Sequence, residues 1–158
     1  MFDQRLQAWS QLVSEVVSFV LSRQASSGRV GLLGFSNGGY LAVASAAHDP
    51  RVAALVVLYG GVPGVVQAQI TRLPPLLALH GDADRTVPLS EGQALVAVAR
   101  ALGAPAELVV YPSAGHGFDF DPNSAEADDT RHRVLAFLWQ RLGSQEWVFA
   151  VYRRACAA

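Results

Sequence analysis

The stretch Arg29-Val-Gly-Leu-Leu-Gly-Phe-Ser-Asn-Gly-Gly39 decides how this chain can fold. An apolar run leads into Gly34-Phe35-Ser36-Asn37-Gly38, and an alanine-rich run follows at once, which places the serine in a sharp turn between a strand and a helix. Small residues two positions before and after the serine let the strand and the helix pass closely. Ser36 is therefore a candidate nucleophile, although a plain glycine-rich turn would show the same pattern.

The composition excludes several classes of protein. The chain has 158 residues, of which 51% are hydrophobic and 16% charged, enough to fill the core of one domain. Net charge is −1, and no cluster of lysine or arginine occurs before Arg153-Arg154, so we expect no nucleic-acid partner. The single cysteine, Cys156, offers neither a disulfide framework nor a cysteine metal site. A reducing compartment fits this cysteine usage.

The N-terminal residues predict neither a signal peptide nor a membrane anchor. Asp3, Arg5 and Glu15 interrupt the apolar positions, and no run reaches the roughly 18 apolar residues of a membrane span. We therefore expect a cytoplasmic protein without a membrane partner. No histidine pair has the spacing of a metal site on one helix face, and Asp82 with Asp84 alone would be a poor ligand set, so we expect no metal.

Apolar and turn-forming residues alternate in a way that indicates strands and helices in succession. Apolar residues recur at spacings of three and four between residues 2 and 24, which predicts an amphipathic helix. Four later runs, apolar on both faces, are typical of parallel strands covered by helices on both sides: 30–33, 52–59, 73–79 and 106–111. Further helices are predicted at 39–47, 90–102 and 125–142.

This alternation predicts an α/β fold, a three-layer α/β/α sandwich with a mainly parallel sheet of about four strands. We assign residues 1–143 to one domain. Residues 144–158 form an apolar C-terminal tail that belongs to no strand–helix unit and whose structure is left open between a strand, a helix and a frayed end.

Two later loops carry the groups that a serine nucleophile needs, a base and a group that orients the base. The segment His80-Gly-Asp-Ala-Asp-Arg-Thr-Val-Pro88 follows the third strand and offers two carboxylates, Asp82 and Asp84. The segment Tyr111-Pro-Ser-Ala-Gly-His-Gly-Phe118 follows the fourth and offers His116. In parallel sheets, catalytic groups collect at the edge formed by the carboxyl ends of the strands, where both loops begin. Serine, acid and histidine appear in the chain order expected of an α/β-hydrolase.

The segments Gly34–Gly39, His80-Gly-x-x-Asp84-x-x-Val-Pro88 and Ala114–Phe118 together resemble the dienelactone hydrolase family of α/β-hydrolases, over residues 10–142. The resemblance implies Asp84 as the acid and His116 as the base, and it leaves Asp82 as a neighbour that is either turn-forming or solvated. Dienelactone hydrolases proper use a cysteine nucleophile, so Ser36 implies ordinary carboxylic esters as substrates. The same motifs occur in acyl thioesterases and in peptidases of the prolyl-oligopeptidase type, and both remain alternatives.

The resemblance implies hydrolysis of a small ester through a Ser-His-Asp triad and an acyl-enzyme, without a cofactor. The backbone N–H of Asn37 would bind the oxyanion. Phe35, Tyr40 and Phe118 are possible pocket residues, and Tyr40 fits a packing role equally well. His80 is interpreted as a hydrogen-bonded structural residue rather than a second base.

The chain departs from the family pattern at its N-terminus. A full α/β-hydrolase has several strands before the helix at which this chain begins, so the fold is expected to be truncated and to lack the loop that supplies the second oxyanion donor. A catalytically weak or inactive scaffold used for binding or assembly is therefore the alternative function. The first strand would present an open apolar edge, and we expect a homo-oligomer, most simply a twofold dimer.

Overall fold

The computed structural model describes residues 2–24 and 26–143, with side chains from residue 5 onward. In these ranges the chain forms four strands and five helices. In chain order they are α1 Phe2–Leu21, β1 Val30–Phe35, α2 Asn37–His48, β2 Val52–Leu58, α3 Gly64–Gln67, β3 Leu76–Gly81, α4 Leu89–Ala101, β4 Ala106–Tyr111 and α5 Ala125–Leu142. The tail at 144–158 lies outside the described residues, so its assignment and the domain boundary stay predictions.

The four strands form one parallel sheet in the order β1-β2-β3-β4, which confirms the predicted α/β class. One row of the register is continuous across the sheet. Phe35 pairs with Leu58, Leu58 with Leu79, and Leu79 with Val109. The residues that follow this row, including Ser36, therefore come out side by side at the carboxyl edge of the sheet.

Helices cover both faces, as the doubly apolar strands predict. One layer packs α1, α2 and α4 against the sheet, with Val17, Val43 and Leu95 among its buried residues. The other layer is α5, whose Val134 is buried against the opposite face. Close packing of α5 on β1 depends on Gly31, where an added Cβ would come within 2.8 Å of Leu142 Cδ1.

Several predicted boundaries differ from the structure for local reasons. The first helix ends at Leu21 rather than residue 24, and β3 begins at Leu76 rather than residue 73. Pro74 and Pro75 precede β3, and proline has no N–H to donate to a sheet. Helix α3 is a single turn, too short for apolar periodicity to indicate it.

Beside β1 the described residues leave apolar side chains exposed. Within the described ranges no strand pairs with the outer side of β1. Leu33 and Phe35 on the strand are 42% and 43% exposed, and the apolar stripe of α1 is only partly buried. The exposed members of that stripe are Leu12, Val16, Phe19 and Val20. The homodimer expected from such an edge stays a prediction.

Helix α1 is attached to the sheet layer by a buried carboxylate at the end of α2. Asp49 Oδ1 accepts hydrogen bonds from Arg51 N and Nε, and Oδ2 accepts from Ser14 Oγ at 2.9 Å and Arg51 Nη2 at 2.7 Å. Arg51 also donates to the Ser14 carbonyl and to Ser18 Oγ on α1. The Arg51 hydrogen bonds lower the pKa of Asp49 to about 2, although burial opposes this shift.

We expect Asp49→Asn to lower the free energy of unfolding near neutral pH by about 1–3 kcal/mol, because Arg51 loses its charged acceptor. The pKa of Asp49 is lower in the folded than in the unfolded protein, so its stabilisation is complete above its ordinary pKa of 3.8 and is lost as pH falls towards 2. Urea unfolding of both proteins across this range measures the difference. A difference that does not shrink on acidification would contradict the assignment.

Candidate active site

Ser36 sits in a strained turn between β1 and α2. Its φ is 50° and its ψ −123°, in a region that residues other than glycine rarely adopt. The turn is held by hydrogen bonds from Ser36 N to the Leu58 carbonyl and from Gly39 N to the Ser36 carbonyl. Strand and helix touch at Gly34, where an added Cβ would lie 2.6 Å from the Gly38 carbonyl carbon. The turn therefore projects the serine side chain from the carboxyl edge of the sheet.

Asp84 lies in the loop after β3, with its carboxylate completely buried. Oδ1 accepts hydrogen bonds from the backbone N–H groups of Thr86 at 2.8 Å and Val87 at 2.9 Å. Oδ2 lies 2.7 Å from His116 Nδ1. Burial raises the pKa of Asp84, but the hydrogen bonds from Val87, His116 and Thr86 outweigh it and hold the pKa below its ordinary value. The group is therefore an ionised acceptor near neutral pH.

His116, in the loop after β4, connects the acid to the serine. Its Nδ1 faces Asp84 Oδ2, and its Nε2 lies 2.9 Å from Ser36 Oγ. Because an ionised carboxylate only accepts, Nδ1 carries the proton and donates it, which leaves Nε2 as an acceptor for the serine hydroxyl. The structure thus brings Ser36, His116 and Asp84 together in one hydrogen-bonded series.

Asp82, the neighbouring carboxylate, is exposed and has a different contact. Its Oδ1 accepts a hydrogen bond from Ser113 N at 2.6 Å, joining the loops after β3 and β4. Those loops approach so closely that a Cβ at Gly81 would lie 2.7 Å from the Ala114 carbonyl carbon. Asp82 is therefore exposed to solvent, and its contact links two loops rather than forming a turn within its own loop.

The other predicted site residues lie in three different environments. Asn37 is the first residue of α2, where backbone N–H groups have no partner within the helix. Tyr40 donates to Glu91 Oε2 at 3.1 Å, and burial together with Glu91 raises its pKa to about 12. Phe35 is 43% exposed, whereas Phe118 packs against the Tyr111 ring, with centroids 4.6 Å apart. Phe35 thus offers more free apolar surface than Phe118.

Tyr59 is a site residue that sequence reasoning missed. It follows β2, has a φ of 38° and is almost completely buried. Its ring meets the His116 ring edge-on, with centroids 4.7 Å apart, and its hydroxyl donates to Asp119 Oδ1 at 2.8 Å. Burial and Asp119 raise the pKa of Tyr59. Its position directly before Gly60-Gly61, at the end of a strand, was the available sequence signal.

The described part of the chain offers neither a cluster of metal ligands nor a membrane-spanning helix. It contains no group of three or more histidine, cysteine, aspartate or glutamate side chains placed to hold a metal ion. Among its helices, none is long and apolar enough to cross a bilayer.

A parallel sheet with a serine elbow after one strand, and an acid and a histidine in later loops at the same edge, defines an α/β-hydrolase fold. The model of the dienelactone hydrolase family matches residues 1–142. The chain therefore belongs to the dienelactone hydrolase family.

Similar proteins agree with this placement. A Methylorubrum extorquens protein named "Putative carboxymethylenebutenolidase" is 33% identical over 165 residues, covering 87% of this chain and 54% of that protein. An Escherichia coli K12 protein of the same name is 32% identical over 130 residues, covering 74% and 48%. The crystal structure titled "Putative Dienelactone Hydrolase" from Klebsiella pneumoniae superposes with a TM-score of 0.67 at 29% identity, covering 81% and 59%. The chain spans about half the length of the curated relatives it matches.

We expect Gly34→Ala to lower the free energy of unfolding by about 3 kcal/mol or more, because its Cβ would overlap backbone atoms of α2. Gly38→Ala is the matched control, since a Cβ there meets nothing within 4 Å, and it should change stability by less than about 1 kcal/mol. Denaturant unfolding of both variants measures the contrast. A Gly34→Ala variant that is as stable as the wild type would show that the close passage is not needed.

Proposed function

We propose that this protein hydrolyses small carboxylic esters, with Ser36 as nucleophile, His116 as general base and Asp84 as the group that orients and stabilises the imidazolium. The observation that carries the proposal is the hydrogen-bonded series from Ser36 Oγ through both nitrogens of His116 to Asp84 Oδ2, with distances of 2.9 and 2.7 Å. Membership of a hydrolase family supports it.

In the acylation step, Ser36 Oγ would attack the ester carbonyl carbon while its proton passes to His116 Nε2. The carbonyl oxygen becomes an oxyanion and accepts a hydrogen bond from the Asn37 backbone N–H. When the tetrahedral intermediate collapses, the C–O bond to the alcohol breaks, and His116 returns the proton to the departing alkoxide. An acyl-enzyme on Ser36 and a free alcohol result.

Deacylation repeats the same steps with water. His116 Nε2 takes a proton from a water molecule as its oxygen attacks the acyl carbon, and the proton then returns to Ser36 Oγ as the acid leaves. Asp84 keeps its negative charge throughout and stabilises the imidazolium in both steps. The residues of the site need no cofactor for this sequence.

The serine nucleophile favours an ordinary carboxylic ester, and Phe35, which directly precedes Ser36 and is 43% exposed, is the proposed apolar contact for its acyl group. A thioester or an amide would be attacked by the same atoms, so acyl thioesterase and peptidase activities stay alternatives within the class. We also propose that the protein acts in the cytoplasm and assembles as a homodimer.

A weak or inactive scaffold is the second candidate function. Among the described residues, the backbone N–H of Asn37 is the one oxyanion donor that we can name. Loss of one oxyanion donor typically lowers turnover by about 10²–10³-fold. Such a chain would bind or assemble through its exposed apolar surface on α1 and β1 rather than turn over substrate. Ester hydrolysis with and without Ser36 separates the two candidates.

Hydrolysis of p-nitrophenyl acetate should be measured for the wild type, Ser36→Ala and the surface control Ser90→Ala. We expect turnover that disappears in Ser36→Ala and persists in Ser90→Ala, because Ser90 is exposed at the start of α4. A fluorophosphonate should label the same two active proteins. Equal background rates in all three would overturn the esterase proposal and favour the scaffold.

We expect Asp84→Asn to reduce kcat by about 10⁴-fold, because an amide can no longer hold the His116 tautomer whose Nε2 accepts from serine. Asp82→Asn is the matched control two residues away, and it should keep kcat within about threefold, since its carboxylate serves a loop contact. Steady-state kinetics decides. Comparable losses in both variants would contradict the assignment of the acid.

A further inference from the structure

His80 is a buried imidazole beside the candidate site that the proposed mechanism does not use. It lies in β3 with 1% of its surface exposed. Its Nε2 is 2.9 Å from the Val87 carbonyl oxygen. A carbonyl oxygen only accepts, so Nε2 carries a hydrogen and donates it. The nitrogen that faces the acid loop therefore has no lone pair with which to act as a base.

The bond to Val87 connects His80 to the acid through one peptide residue. The backbone N–H of Val87 donates to Asp84 Oδ1, while its carbonyl accepts from His80. Both polar groups of Val87 are thus engaged, one with the carboxylate and one with the imidazole. A fixed Val87 peptide fixes the direction of the N–H bond that reaches Asp84 Oδ1. The orientation of the whole carboxylate, including Oδ2, follows from that bond.

His80 Nε2 is also 3.7 Å from Asp84 Oδ2, beyond hydrogen-bond distance. The histidine that does reach Oδ2 is His116, at 2.7 Å. Two imidazoles thus lie beside one carboxylate with separate tasks. Because the N–H of His80 is engaged with Val87, it does not compete with His116 for Oδ2.

The His80 ring packs against helix α4 at Gly92, which has no side chain. A Cβ at Gly92 would lie 2.7 Å from His80 Nδ1, so any larger residue there would push against the ring. The ring is therefore enclosed between Val87 on its Nε2 side and Gly92 on its Nδ1 side.

We infer that His80 is a positioning residue for the proposed acid: its Nε2–H, acting through Val87, holds the Asp84 carboxylate in the orientation that His116 requires. The inference rests on the proposed function for its catalytic consequence. Its structural content, the dependence of the Asp84–His116 hydrogen bond on His80, can be measured without turnover.

The test compares His80→Leu, which removes the donor, with His80→Gln, whose amide nitrogen replaces Nε2 as a donor to Val87. The first readout is the proton NMR resonance of His116 Nδ1–H, shifted far downfield by its bond to Asp84 and identified by its loss in Asp84→Asn. We expect the resonance to be lost or broadened in His80→Leu and restored in His80→Gln.

The second readout is ester hydrolysis. We expect kcat to fall about 10- to 100-fold in His80→Leu, as for a misplaced catalytic group, with KM nearly unchanged. His80→Gln should recover most of this loss. A general loss of stability would change the active fraction in both variants and would not show this recovery.

Gly92→Ala gives a second route to the same defect if His80→Leu does not fold, with the exposed neighbour Gln93→Ala as its control. It should weaken the His116 resonance and lower kcat, whereas the control should change neither. A folded His80→Leu or Gly92→Ala that keeps both the resonance and kcat overturns the inference. So does a folded His80→Gln that restores neither.

Failure of the proposed function would give a different result. A wild type that does not hydrolyse esters, yet shows the expected resonance changes, would end the esterase proposal and leave the positioning role of His80 intact. An active wild type whose resonance is unaffected by these substitutions would do the reverse.

Discussion

The candidate site depends on one constraint, the parallel register of the four strands near their carboxyl ends. Phe35, Leu58, Leu79 and Val109 lie in one row across the sheet. The next residues of the first three strands are Ser36, Tyr59 and His80, and the hydrogen bonds from Ser36 N to the Leu58 carbonyl and from Tyr59 N to the Leu79 carbonyl extend the row by one step. A shift of β1 by one residue would turn every side chain of that strand to the opposite face.

Two buried carboxylates, one near the amino ends of the strands and one near their carboxyl ends, differ in role because they have different hydrogen-bond partners. Asp49, at the end of α2, is paired with Arg51, a cation that keeps its charge at any accessible pH. Asp84 is held by two backbone N–H groups and faces His116, whose second nitrogen can take and release a proton. The first arrangement holds a helix in place, whereas the second can respond to the chemistry on Ser36.

Much of the fold and of the candidate site could be predicted from the sequence, because it depends on residues that are neighbours along the chain. The glycines around Ser36 and the apolar runs before each loop indicate which segments are strands and at which edge of the sheet the serine, acid and histidine meet. The contacts of Tyr59 and His80 could not be predicted. Tyr59 meets Asp119 across sixty residues, and His80 fits only because Gly92 leaves room on another helix. Tertiary packing, not spacing along the chain, determines such pairs.

The same distinction separates two parts of the proposed chemistry. The groups that would move the proton, Ser36, His116 and Asp84, come from three loops within the described residues and already make their mutual hydrogen bonds. The groups that would stabilise developing negative charge are represented there by the Asn37 N–H. Activation of the nucleophile needs the first set, whereas full turnover also needs the second. Covalent labelling of Ser36 therefore reports mainly on the hydrogen-bonded series, and steady-state turnover reports on that series and the oxyanion donors together.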